Sequence, residues 1–129
     1  MTRPLCNILL IEDSPTQALR FQLILSRAGY QVCVAHDGAE GWRQACAIRP
    51  QLILLDVDLP SLSGFQVLAR LKRGQQTAHI PVVMLTNHEH VSDVERALGS
   101  GAADYLPKRD ALIQLCSVIE QHLSAPLRA

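Results

Sequence analysis

Three carboxylates, a hydroxyl and an amine stand at the ends of short apolar runs in this chain. Glu12 and Asp13 follow Ile8-Leu9-Leu10-Ile11, Asp56 closes Leu52-Ile53-Leu54-Leu55, Thr86 closes Val82-Val83-Met84-Leu85, and Lys108 follows Ala103-Asp104-Tyr105-Leu106 with Pro107 between. If those runs are parallel strands of one sheet, the five groups share the edge at which open α/β sheets bind ligands. Carboxylates gathered there repel one another unless a cation compensates, and hard oxygen ligands with few other donors suit Mg²⁺, which keeps waters of its own. A hydroxyl and an ammonium opposite them supply hydrogen bonds and charge to phosphoryl oxygens. Asp56 then has the setting of a nucleophile towards phosphorus, as aspartyl phosphate chemistry requires. Singly, each residue has a plainer reading: Asp56 as a turn cap, Glu12-Asp13 as helix-start acids, Thr86 as a strand-end group on backbone, Lys108 as a solvated charge. Their joint arrival at strand ends is what points to chemistry.

The elements that must position them can be taken in order. Leu52 to Leu55, between Pro50 and Pro60, is too short for a helix and does not alternate, so it reads as a strand buried on both faces. Residues 6–11 make a similar strand, and Ser14-Pro15 starts a helix with Gln17 completing a capping box. That helix runs to about Ala28 and stops at Gly29; a strand follows at Gln31–Ala35, then a helix from Asp37-Gly38 through Trp42 to about Ile48, halted by Pro50. Phe65, Val67, Leu68 and Leu71 recur at helical spacing up to Gly74, and Ile80–Thr86 is a strand with Pro81 near its start. Val91, Val94 and Leu98 carry a fourth helix. The last spans about Asp110 to Leu123, with Leu112, Ile113, Leu115, Cys116 and Ile119 as its expected buried stripe. Five strands alternating with five helices predict a doubly wound α/β sheet whose right-handed crossovers bring all strand carboxyl ends to one edge.

The 129 residues fit a single domain, 1–129, with a core from about 6 to 123. Twelve basic and twelve acidic residues cancel, so the charge footprint of a nucleic-acid binder is missing and no direct nucleic-acid partner is expected. Cys6, Cys33, Cys46 and Cys116 form no C-x-x-C pair and read as reduced core residues in a cytoplasmic protein. No apolar run reaches the roughly 18 residues needed to cross a bilayer, and the start shows no export signal, so no membrane association is expected. Trp42 and Phe65 read as packing residues, since no basic groove accompanies them. His88-Glu89-His90 offers metal-ligand types but reads better as a surface loop.

These motifs resemble the receiver domain of two-component response regulators over essentially the whole chain. The resemblance is carried by IEDS at Glu12-Asp13, LDVDLPSLSG from Leu55 to Gly64 around Asp56, MLT ending at Thr86, and DYLPK ending at Lys108. It implies a flavodoxin-like fold with strand order 2-1-3-4-5. It further implies that Asp56 is the phospho-acceptor, that Asp13 and Asp56 bind Mg²⁺ directly, and that Glu12 acts largely through water. The backbone carbonyl of Asp58 would complete the protein ligands, and Thr86 and Lys108 would contact the phosphoryl group. The expected donor is a histidine kinase or phosphotransfer protein. The chain would catalyse its own phosphorylation and dephosphorylation without being an enzyme towards an external substrate. A surface of helix 4, strand 5 and helix 5, with Thr86 and Tyr105 as switch residues and Val91, Glu95 and Leu112 around them, would then engage a downstream protein or a second copy.

Three positions depart from the family pattern: Arg109 replaces the usual proline after the lysine, Asn87 replaces a small residue, and Asp58 replaces an apolar or amide residue. Asp58 and His88 each stand two residues past a site residue and are expected to form a rim over the phosphoryl group. Two alternatives compete. The Asp56-Val57-Asp58 spacing also suits haloacid-dehalogenase-type phosphatases, but Pro60 stands where that family needs Thr or Val, and the other acids lie upstream. A receiver-like interaction module that is never phosphorylated would not need all five groups.

Overall fold

The computed structural model describes residues 6–87 and 91–123. Its elements alternate strictly: β1 Ile8–Ile11, α1 Pro15–Arg27, β2 Val32–Ala35, α2 Gly38–Ile48, β3 Leu52–Asp56, α3 Gly64–Arg73, β4 Val82–Thr86, α4 Val91–Gly99, β5 Asp104–Pro107 and α5 Lys108–Leu123. The strands pair in parallel in the order β2-β1-β3-β4-β5. β1, β3 and β4 are buried along their whole length, as unalternating aliphatic runs require, whereas the edge strand β2 is only half-buried.

Alternation within each strand splits the core into two layers. Leu9, Ile11, Ile53, Leu55, Val82 and Met84 meet the inner faces of α2, α3 and α4, and Tyr105 belongs to this layer. Ile8, Leu10, Leu52, Leu54, Val83 and Leu85 meet Phe21 and Leu25 of α1 and Leu115 and Ile119 of α5. The same alternation assigns Asp56 to the α1/α5 side of β3 and Thr86 to the Tyr105 side of β4. The strand-end groups therefore straddle the sheet.

Local chemistry explains the helix ends. α1 closes on Gly29, φ 100°, with Gly29 N–H donating to Ser26 O and Tyr30 N–H to Leu25 O, a Schellman arrangement. α2 ends at Ile48 as expected and closes through Arg49, just before Pro50, at φ 54° in the left-handed region where glycine is usual. α3 carries the full reciprocal capping box, Ser63 with Gln66. β4 begins at Val82, after Pro81 rather than at Ile80, because the proline lacks an N–H for the ladder; its carbonyl still accepts from Ile53 N–H.

Two expectations about buried stripes need correction. α5 starts at Lys108, directly after β5, and not near Asp110. Its buried residues are Ala111, Leu115 and Ile119, while Leu112 and Ile113 are 50% and 87% exposed and Cys116 is half-buried. The rotation follows from Lys108: residues 108, 111, 115 and 119 lie on one helical face, so a helix that aims Lys108 at the strand ends must bury the other three. In α4 the inward residues are Val94 and Ala97, and Leu98 is exposed.

Candidate functional site

β1, β3 and α5 deliver the acids and the amine to one point. Glu12 follows β1 and is buried; Asp56 ends β3 and is also buried; Asp13 is exposed beside them. Glu12, Asp13 and Asp56 each present a carboxylate oxygen, all within 4.8 Å of one another. Lys108 Nζ lies 3.0 Å from Glu12 Oε1 and 3.2 Å from Asp56 Oδ1. The approach to Glu12 is a charge contact without hydrogen-bond geometry, because Glu12 Oε1 is buried with no hydrogen-bond partner.

The β3–α3 turn folds back on the carboxylate that precedes it. Asp58 N–H donates to Asp56 Oδ1 at 3.0 Å, and Gly64 N–H donates to Val57 O at 2.9 Å. Gly64 has to be glycine for steric reasons: a Cβ there would sit 2.4 Å from the Asp56 carbonyl oxygen and 2.7 Å from Val57 Cα. Ser61, at φ 63°, supplies the turn's left-handed residue. Burial, and then the neighbouring Glu12 charge, push the Asp56 carboxyl up to about 7; the Asp58 N–H and Lys108 oppose them. That balance describes the site with no cation bound.

Thr86 is fully buried at the end of β4, level in register with Pro107 of β5, and Tyr105 is buried beside Met84 in the same layer. Thr86 and Tyr105 thus sit on adjacent strands two register positions apart, on the same face of the sheet. Of the two residues expected at the rim, only Asp58 is described. Asp58 is exposed at a cleft of about 300 Å³ shared with Phe65, Asp93 and Arg96, where the Arg96 guanidinium stacks on the Phe65 ring at 4.0 Å. His88 lies outside the described residues, as do Glu89 and His90. The Lys108–Arg109 peptide bond is trans. Leu112 lines a cleft of about 390 Å³ with Gln17, Arg20 and Phe21 of α1, together with Asn87 and Arg109.

Gln17 is the site residue that sequence reasoning placed elsewhere. It does not close a capping box. Ser14 Oγ accepts from Gln17 N–H at 3.3 Å, but the Ser14 N–H donates to Glu12 Oε2 at 3.2 Å, and the Gln17 side-chain oxygen accepts from Lys108 Nζ at 2.6 Å. The signal was present in the sequence: an acid two residues before the cap competes for the N–H that Gln17 would otherwise take.

A family model described as response regulator receiver domain matches residues 8–120. Over 102 residues the chain is 44% identical to the DNA-binding dual master transcriptional regulator RpaA of a Synechocystis strain, covering 79% of this chain and 42% of that protein. Over 104 residues it is 34% identical to protein PilH of Pseudomonas aeruginosa, covering 81% and 86%. The chain spans about half the length of several other curated regulators it matches. Its structure is similar to that of the receiver domain of a Pseudomonas aeruginosa sensor histidine kinase, solved with a magnesium ion coordinated in the active site cleft. The TM-score is 0.84 at 29% identity, over 92% of this chain and 97% of the other.

Proposed function

This chain belongs to the response regulator receiver domain family, and on that premise we propose that it accepts a phosphoryl group on Asp56 from a histidine kinase or phosphotransfer protein. The family match decides against the haloacid-dehalogenase-type alternative. The observation that carries the reading is the convergence of a buried Asp56, two further carboxylates and Lys108 at the carboxyl end of the central strand.

The donor set fits Mg²⁺: three carboxylate oxygens lie close together, and one buried oxygen of Glu12 has no hydrogen bond. Asp13 and Asp56 would hold the ion, with Glu12 acting through water and the Asp58 carbonyl completing the set. When bound, it would offset the negative charge that the carboxylates and an incoming phosphate otherwise pile together. The chain's own groups do the rest. Asp58 N–H and Lys108 both engage Asp56 Oδ1, which leaves Oδ2 to attack phosphorus. The bond from phosphorus to the donor's leaving atom breaks, and that atom keeps the electron pair. Lys108 and the Thr86 hydroxyl bind the oxygens of the transferred group. Hydrolysis by an in-line water later restores the carboxylate, and no external substrate is turned over.

The output rests on the two layers. The phosphoryl group carries about −1.5 to −2 charges and would draw the Thr86 hydroxyl towards it, making room for the Tyr105 ring two register positions away on the same face. The surface of α4, β5 and α5 then changes shape for a downstream protein or a second copy. Among the described residues no helix is long and apolar enough to cross a membrane, and a cytoplasmic location is part of this proposal. Incubation with acetyl phosphate and Mg²⁺, read by intact mass, tests the reading. A phosphoryl adduct should appear in the wild type and be absent in Asp56→Asn and in the presence of chelator. An equal adduct in Asp56→Asn would overturn it.

A further inference from the structure

The geometry points to Gln17 as a positioning residue that keeps Lys108 from closing fully on the nucleophile, an inference that rests on the proposed phosphorylation of Asp56. Three oxygens surround the Lys108 ammonium: Gln17 Oε1 at 2.6 Å, Glu12 Oε1 at 3.0 Å and Asp56 Oδ1 at 3.2 Å. The shortest contact is to the neutral amide and the longest to the residue that must react. With those distances the amine leans towards α1 while keeping a looser contact with Asp56 Oδ1.

That balance matters because an ammonium has three N–H bonds and two opposed tasks. It has to meet an oxygen of the incoming phosphoryl group, yet a tight ion pair with Asp56 would tie up the attacking carboxylate. An amide oxygen on the far side takes one N–H without adding charge to a site already rich in carboxylates. Glu12 makes this possible. By accepting the Ser14 N–H at 3.2 Å it occupies the donor to which Gln17 would otherwise fold back, so the amide extends to Lys108 instead.

Gln17 is also half-buried and lines the α1/α5 cleft beside Arg20, Arg109 and Leu112. The hydrogen bond that steadies the amine therefore lies between the phosphorylation site and a groove open to solvent.

The test uses Gln17→Met, which keeps side-chain length and helix propensity but removes the acceptor. Two quantities are read on the full chain: the rate of Asp56 phosphorylation by acetyl phosphate with Mg²⁺, and the ¹⁵Nζ–¹H signal of the Lys108 ammonium without phosphodonor. Melting temperature serves as the folding control. The expected result is phosphorylation slowed by about tenfold, a Lys108 signal shifted or broadened, and a melting temperature close to wild type. An unchanged rate overturns the inference, whether or not the Lys108 signal moves, and so does a slower rate with an unmoved signal. If the melting temperature drops, Gln17→Lys is added: it replaces the acceptor with a second cation, and a rate no lower than that of Gln17→Met overturns the inference. A wild type that takes up no phosphoryl group refutes the function proposed above, and the Lys108 signal still reports whether Gln17 holds the amine.

Discussion

Replacing Asp56 with asparagine should stabilise the cation-free protein, by an amount that depends on pH. The carboxyl of Asp56 is pushed from its ordinary 3.8 to about 7 by burial and by Glu12. Between those values the folded state holds a proton that the unfolded chain has released. Because the folded state binds more protons there, stability falls as pH rises from about 4 to about 7 and levels off above that. A displacement of roughly three pH units corresponds to about 4 kcal/mol at 1.36 kcal/mol per unit. Asparagine keeps an oxygen for the Asp58 N–H and is neutral like the protonated carboxyl, and the attraction to Lys108 is already contained in the value of about 7, so the net gain at pH 8 in chelator should be about 4 kcal/mol. At pH 4 it should be near zero. Urea denaturation of both proteins in chelator at these two pH values measures the difference. Mg²⁺ at 100 times its Kd should narrow the gap at pH 8, since an ion bound only by the folded wild type adds about 2.7 kcal/mol to it. A gain equal at both pH values, or a loss at pH 8 in chelator, would refute the electrostatic account of Asp56.

Three further outcomes follow from local geometry. Arg49→Gly should raise stability by about 1 kcal/mol, because the left-handed φ of 54° at the end of α2 strains a side chain; an unchanged urea midpoint would count against this. Gly64→Ala should cost about 2 kcal/mol or more by forcing the turn away from the Asp56 backbone. It should also slow phosphorylation, and crystallography would show whether the turn has moved. Beryllofluoride with Mg²⁺, which mimics the phosphorylated state, should shift the NMR signals of Tyr105 and its neighbours on β5 as well as those beside Asp56. Shifts confined to residues 12, 13 and 56–58 would sink the proposed coupling through Thr86.

The architecture was legible because each buried strand is a short unalternating aliphatic run and each helix is bounded by a cap, glycine or proline. The convergence of Glu12, Asp13, Asp56 and Lys108 was legible from topology alone, since parallel strands share a carboxyl edge. What failed was rotation about helix axes. Leu112 and Ile113 looked like core by composition, but the phase of α5 is set by where Lys108 has to point, a tertiary constraint that a hydrophobic pattern does not carry. Gln17 failed for a related reason. Its local rule was sound, and a long-range partner from α5 together with a competing acid at residue 12 overrode it. The left-handed Arg49 carried no sequence signal, because only its backbone angle distinguishes it from an ordinary helix-end arginine.

The join between β5 and α5 has a consequence for how chains of this kind can vary in length. Pro107 is the last residue of the strand and Lys108 the first of the helix, with nothing between them. One residue inserted there would turn the whole helix by about 100° and advance it by about 1.5 Å. That would carry Lys108 off the acids and swing Leu115 and Ile119 out of the core in a single step. The connections at 28–31 and 49–51 lie at the opposite edge of the sheet and hold none of the site groups, so they can absorb insertions and deletions without altering the reach of any of them. Drift in length should therefore be confined to that far edge, while the 107–108 junction behaves as a fixed ruler between the sheet and the amine.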